Sequence, residues 1–124
     1  ALANLLEMGS TLRVSEPHRV FDQRTWQRLR DWLEARLDDP PSLEELAAFC
    51  AMSPWQALRR FRQHTGLPPH QWLTQLRLQR ALPLVLAGEP LSEIALRLGF
   101  YDQAHFSRLF RRTYGLPPAR LRQG

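Results

Sequence analysis

Ser53-Pro54-Trp55-Gln56-Ala57-Leu58-Arg59-Arg60-Phe61-Arg62-Gln63-His64 returns in altered form as Asp102-Gln103-Ala104-His105-Phe106-Ser107-Arg108-Leu109-Phe110-Arg111-Arg112-Thr113. Each copy opens on a residue whose side-chain oxygen can cap a helix, carries one narrow apolar stripe, and runs on into Gly-Leu-Pro-Pro (Gly66 to Pro69, Gly115 to Pro118). In the first copy Ser53 caps, Pro54 suits the first helical position, and Gln56 completes a capping box three residues on. With Phe61 at the centre of the buried side, a turn of about 100° per residue places Ala57 and Leu58 within roughly 60° of it. Arg59 then lies almost opposite, Gln56 and Gln63 beside it, Trp55 and Arg62 at the margins, and Arg60 on the flank.

Immediately upstream, Ser42-Leu43-Glu44-Glu45 has the Ser-x-x-Glu form of a capping box. The helix it opens is expected to bury Leu43, Leu46, Ala47 and Cys50. Only Ala51-Met52 then separates it from Ser53, and two short helices joined so tightly form a helix-turn-helix. The same order recurs downstream. Leu91, Ile94, Ala95 and Leu98 follow those four residues at an offset of 48. One extra residue in the turn Gly99-Phe100-Tyr101 shifts the offset to 49, which pairs Ser53 with Asp102, Arg59 with Arg108 and Phe61 with Phe110. Such a register, kept over about 27 residues, marks a repeated structural unit.

Between the copies, Pro69 to about Ala87 reads as one longer helix, packing through Trp72, Leu73, Leu76, Leu78, Ala81, Leu82 and Val85. Pro83 sits inside it and costs roughly 3 kcal/mol unless the helix bends. Gly88 ends the segment. Ahead of the repeat, Asp22 caps a helix predicted to run to about Leu37, on the spacing of Trp26, Leu29, Leu33 and Leu37, until Asp38-Asp39-Pro40-Pro41 stops it. Residues 1–21 read as a linker or the remnant of a preceding domain. The expected fold is all-α, with about seven helices. Two helix-turn-helix subdomains (about 42–64 and 91–113) are joined by a long connecting helix (about 69–87) in a domain spanning 22–124.

Charge narrows the partners. Residues 1–41 hold six arginines against seven acids, whereas residues 42–124 hold eleven against five. All seventeen basic residues are arginine. A basic helical domain favours polyanions, and arginine's planar fork suits phosphate and the edge of guanine. No run approaches the roughly 20 apolar residues of a bilayer span, and no signal-peptide pattern opens the chain. A cytoplasmic protein that does not enter membranes is the expectation. The lone Cys50 cannot form an internal disulfide, and His18, His64 and His70 show no metal-ligand spacing. There is neither a glycine-rich phosphate loop nor a Gly-x-Ser-x-Gly elbow. Glu44 and Glu45 are explained by helix capping. No enzymatic activity, cofactor or metal is expected.

The second copy with its flanks, Ile94-Ala95-(x3)-Gly99-Phe100-(x2)-Gln103-(x2)-Phe106-Ser107-Arg108-Leu109-Phe110-Arg111, resembles the signature stretch of the AraC/XylS family of bacterial transcription regulators. Gly115-Leu116-Pro117-Pro118-(x3)-Leu121-Arg122 is similar to that family's terminal element, with Arg120 or Arg122 in the place of its basic residue. Leu43 through Phe61 is similar to its more variable first unit. The resemblance covers about residues 24–122. It implies a C-terminal DNA-binding domain that places two recognition helices in successive major-groove segments, with RNA polymerase as a further partner and an effector-binding or dimerisation domain N-terminal to this chain.

The resemblance maps base contacts onto Trp55, Leu58 and Arg59 in the first unit, and onto Gln103, Ala104, His105, Ser107 and Arg108 in the second. Leu58, Arg60 and Ala57 depart from the residue types common at their positions. Arg59 and Arg108 suit a bidentate grip on guanine. Ser53, Arg62, Arg111 and Arg112 are expected on phosphate, where they add affinity without sequence choice. Trp72 and Cys50 are expected in the core. Two alternatives stay open: a helical protein-interaction module with a basic surface, and a non-specific architectural DNA binder.

Overall fold

The computed structural model describes residues 21–123, so the reading of residues 1–20, His18 included, lies outside the described residues. Seven helices are described and no strands: α1 (Gln23–Glu34), α2 (Leu43–Phe49), α3 (Pro54–Thr65), α4 (Pro69–Leu86), α5 (Leu91–Leu98), α6 (Gln103–Tyr114) and α7 (Pro118–Gln123). They divide into two compact units. The first comprises residues 21–32 and 41–69, the second residues 33–40 and 70–123.

The first unit buries Phe21, Leu29, Leu46, Ala47, Ala57 and Phe61. Its α1 starts on Asp22, whose Oδ1 accepts the Thr25 amide at 2.7 Å. The Trp26 ring meets Phe61 edge-on at 5.8 Å, and His64 packs 4.7 Å from Trp26 and 5.3 Å from Phe21. Removal from water pushes the His64 pKa below its ordinary value, because burial penalises the charged ring. Trp32 stacks flat on Phe49 at 4.4 Å, with the Arg28 guanidinium 5.8 Å over the same ring. Both capping boxes form: Ser42 with Glu45, and Ser53 with Gln56. Leu43 and Cys50, expected in the core, are only half-buried. Cys50 serves as the C-cap of α2, its amide turned onto the carbonyls of that helix. Partial burial still raises its thiol pKa, because burial penalises the charged thiolate.

The second unit buries Leu33, Leu37, Leu73, Leu76, Leu78, Ala81, Val85, Ile94, Ala95, Leu98, Phe100, Phe106 and Phe110. Trp72 and Leu82 are covered only in part. α4 runs unbroken through Pro83 to Leu86. The first helix does not reach Leu37 as its apolar spacing predicts. After Glu34 the chain tightens into turns in which Arg36 N–H donates to Leu33 O and Asp39 N–H to Arg36 O. Leu37 remains buried, but its carbonyl takes the Arg77 guanidinium instead of a helical amide. Nε and Nη2 of Arg77 donate to it at 3.0 and 2.8 Å. Arg77 is itself only 6% exposed, and burial lowers its pKa.

Gly99 presses on the same carbonyl. A Cβ there would stand 2.4 Å from Leu37 O and 2.8 Å from the Asp38 Cα, at a φ of +90° that favours glycine. The C-terminal end is tied down as well. Tyr114 Oη donates to Leu78 O at 3.2 Å, and Arg122 Nη2 donates to Glu89 O at 2.5 Å. Arg122 is therefore a structural strap for the α4–α5 loop, whereas Arg120 is exposed.

Candidate nucleic-acid interface

The two repeats build the same turn. Met52 N–H donates to Ala47 O at 3.0 Å, and Phe100 N–H donates to Ala95 O at 2.9 Å. Ala47 and Ala95 are both buried, where a larger side chain would hold the paired helices apart. At the residue before each of these amides the backbone is left-handed: Gly99 in the second turn, and Ala51, at φ +57°, in the first. Both second helices are twelve residues long and end alike. The amides of Gly66 and Gly115, at φ +85° and +84°, donate to Arg62 O and Arg111 O, each at 2.8 Å.

The inserted residue, Tyr101, protrudes from the second turn at 89% exposure. Asp102 caps α6 through the His105 amide at 2.7 Å. His105 reaches back in return, its Nδ1 accepting the Tyr101 amide at 3.4 Å.

Along α3, Trp55 stands 66% exposed and the Arg59 guanidinium lies 4.7 Å over its ring, a cation–π pair on one helix face. The i, i+4 spacing of an aromatic and an arginine is the signal in the sequence from which this pair can be read. Trp55, Leu58, Arg59, Arg62, Gln63 and Gly66 line an open depression of about 440 Å³. Leu58 is half-buried, packing on one side and lining the depression on the other.

Along α6, Gln103, Ala104, Arg108, Arg111 and Arg112 are exposed, while His105 and Ser107 are half-buried. Among the described residues, Arg108 makes no hydrogen bond or ion pair, and Arg59 none beyond its stack on Trp55. Each unit thus presents a guanidinium with its donors unspent. Ser53 is exposed, its oxygen already accepting the Gln56 amide at 3.1 Å. Among the described residues no helix is long and apolar enough to cross a membrane.

Two helix-turn-helix units, each with arginine on the outer face of its second helix, define a DNA-binding module. Comparison with known proteins agrees. The family model described as a helix-turn-helix domain matches residues 46–124. The HTH-type transcriptional activator RhaS of Escherichia fergusonii is 39% identical over 107 residues, 83% of this chain and 38% of that protein. RhaS of Enterobacter sp. (strain 638) is 40% identical over 98 residues, 78% of this chain and 35% of that one. This chain therefore spans less than two-fifths of the curated relatives it matches.

Two solved structures share the fold. An AraC-type DNA-binding-domain regulator from Chromobacterium violaceum superposes with TM-score 0.72 at 28% identity, over 82% of this chain and 91% of that one. The DNA-binding domain of AdpA, a global transcriptional factor solved in complex with a target DNA, gives TM-score 0.70 at 34% identity, over 78% and 88%. The chain belongs to the AraC/XylS family of bacterial transcription regulators and corresponds to the DNA-binding domain of that family.

Proposed function

We propose that this chain binds a specific double-stranded DNA site by laying α3 and α6 in successive major-groove segments about 34 Å apart. The observation that carries the reading is the match between Arg59 and Arg108. They occupy equivalent positions on two helices of equal length and equal termination, and both are free to donate outward. Each guanidinium grips the O6 and N7 of a guanine, with Trp55 and Leu58 against apolar edges such as thymine methyls, and Gln103, Ala104, His105 and Ser107 lining the second groove segment. Ser53, Arg62, Arg111 and Arg112 hold phosphates and set the register. In the whole protein, this domain acts in the cytoplasm beside RNA polymerase, under an N-terminal effector-binding or dimerisation domain.

Selection of bound sites from random duplexes, followed by gel-shift titration in competitor DNA, tests the reading. Arg108→Ala is expected to cost about 1–3 kcal/mol on the selected site and to relax preference at one base pair. An equal loss on random DNA would restrict Arg108 to phosphate. Failure to enrich any sequence would leave only non-specific binding or protein docking.

A further inference from the structure

We infer that His105 is held as a one-way hydrogen-bond donor, offering Nε2–H to an acceptor on the DNA and rejecting the amino edges of cytosine and adenine. This rests on the proposal that α6 reads the major groove. The geometry behind it follows from the inserted residue. Tyr101 has no counterpart in the first unit, so its amide is one that the shared turn does not serve. In the first unit the third residue of the helix, Gln56, spends its side chain on the Ser53 amide at 3.1 Å. In the second unit His105 holds the same place and takes the Tyr101 amide on Nδ1.

A ring nitrogen that accepts an N–H carries no proton of its own, so in the neutral ring the proton sits on Nε2. Turning the ring over would set a C–H against the Tyr101 amide, and Phe100, edge-on at 6.0 Å, packs against the ring in its present setting. Nε2 bonds to no described residue and is not sealed from solvent. A fixed donor on the groove-facing helix suits purine N7, guanine O6 or thymine O4, or a phosphate oxygen. It repels the N4 amino group of cytosine and the N6 amino group of adenine.

Two measurements on the whole chain test this. In the free protein, long-range nitrogen–proton NMR is expected to show Nδ1 of His105 unprotonated, and the Tyr101 amide protected from exchange. That protection should persist in His105→Gln and vanish in His105→Leu. A protonated Nδ1, or a Tyr101 amide equally unprotected in all three proteins, would overturn the tautomer whatever the protein does with DNA.

In the complex, single base acceptors are removed one at a time from the selected duplex (7-deazapurines for N7, 2-aminopurine for guanine O6, 5-methyl-2-pyrimidinone for thymine O4), and methylphosphonates form a second set. One substitution is expected to weaken wild-type binding about five- to tenfold, the worth of one hydrogen bond, and to leave His105→Leu unaffected. A base analogue so identified assigns the acceptor to a base, a methylphosphonate to the backbone. Either supports the donor role. If the domain binds its site and none of these substitutions, which together remove N7, O6, O4 and the phosphate oxygens, separates the two proteins, His105 serves only the turn.

Discussion

Replacing Gly99 with alanine isolates the close approach on which the second unit depends, because the same chain contains its own control. Gly115 has nearly the same backbone, φ +84° against +90°, but nothing lies within 4 Å of where its Cβ would be. Gly115→Ala should therefore cost only the left-handed conformation, roughly 1–2 kcal/mol, partly offset by the stiffer unfolded chain. Gly99→Ala adds a collision with main chain at 2.4 and 2.8 Å, which no rotamer change can relieve. Forcing that backbone aside costs about 1–3 kcal/mol more, the usual range for overpacking.

The displaced oxygen is also the acceptor for both Arg77 bonds, so part of their worth is lost with it. The total for Gly99→Ala comes to about 3–5 kcal/mol, set against roughly 3–9 kcal/mol for a unit of about 60 residues. Urea titration followed by circular dichroism reads the difference. Gly99→Ala should unfold well before Gly115→Ala, or, on heating, on the order of 10 °C lower. Combining Gly99→Ala with Arg77→Met should cost less than the sum of the two, since both act on one oxygen. Unfolding free energies of the two variants within about half a kcal/mol of each other, or strict additivity, would show that Leu37 can yield freely and that the packing argument is wrong.

Arg77→Met alone is expected to destabilise by about 1–3 kcal/mol in the same assay. The loss of two charge-assisted bonds outweighs the relief of no longer burying a guanidinium, but not by the full value of the bonds. Ala51→Gly should stabilise the first unit by about 0.5–1 kcal/mol, seen as a higher urea midpoint, since alanine there carries φ +57°. His64 makes stability fall in acid. Its folded pKa lies below the unfolded value near 6.5, so between the two the unfolded chain binds more protons. The contribution is intact above about pH 6.5 and is lost as pH drops toward the folded pKa. Urea midpoints measured from pH 7.5 downward should decline, and His64→Phe should flatten that decline.

The repeat, the Ser42, Ser53 and Asp102 caps, and the glycine terminations at Gly66 and Gly115 could all be read from sequence, because each is a local rule in which neighbours three or four residues apart decide the outcome. What escaped depends on partners distant in the chain. Arg77 sits among apolar residues and looks no different from Arg80, until the chain brings Leu37 O to it from forty residues away. The early end of α1 has the same cause, since the apolar spacing through Leu37 reports burial and not helix. Leu43 and Cys50 lie on the expected face of α2, but a seven-residue helix covers its ends poorly. At the candidate interface, the outward placement of Arg59 and Arg108 followed from rotation about the helix. The stack of Arg59 on Trp55 was available from their spacing. The service His105 gives to the Tyr101 amide was not, because it exists only once the inserted residue has a conformation.

The absence of lysine from this sequence limits how the stretch can be controlled. Within these 124 residues no ε-amine exists to be acetylated or otherwise acylated, and a guanidinium keeps its proton at any pH a cell reaches. The positive charge that α3 and α6 display is in that sense not adjustable. Lysine acylation is closed as a way to loosen its hold on a polyanion, which leaves shape, occlusion, a competitor for the same face, or a charge added on a hydroxyl side chain.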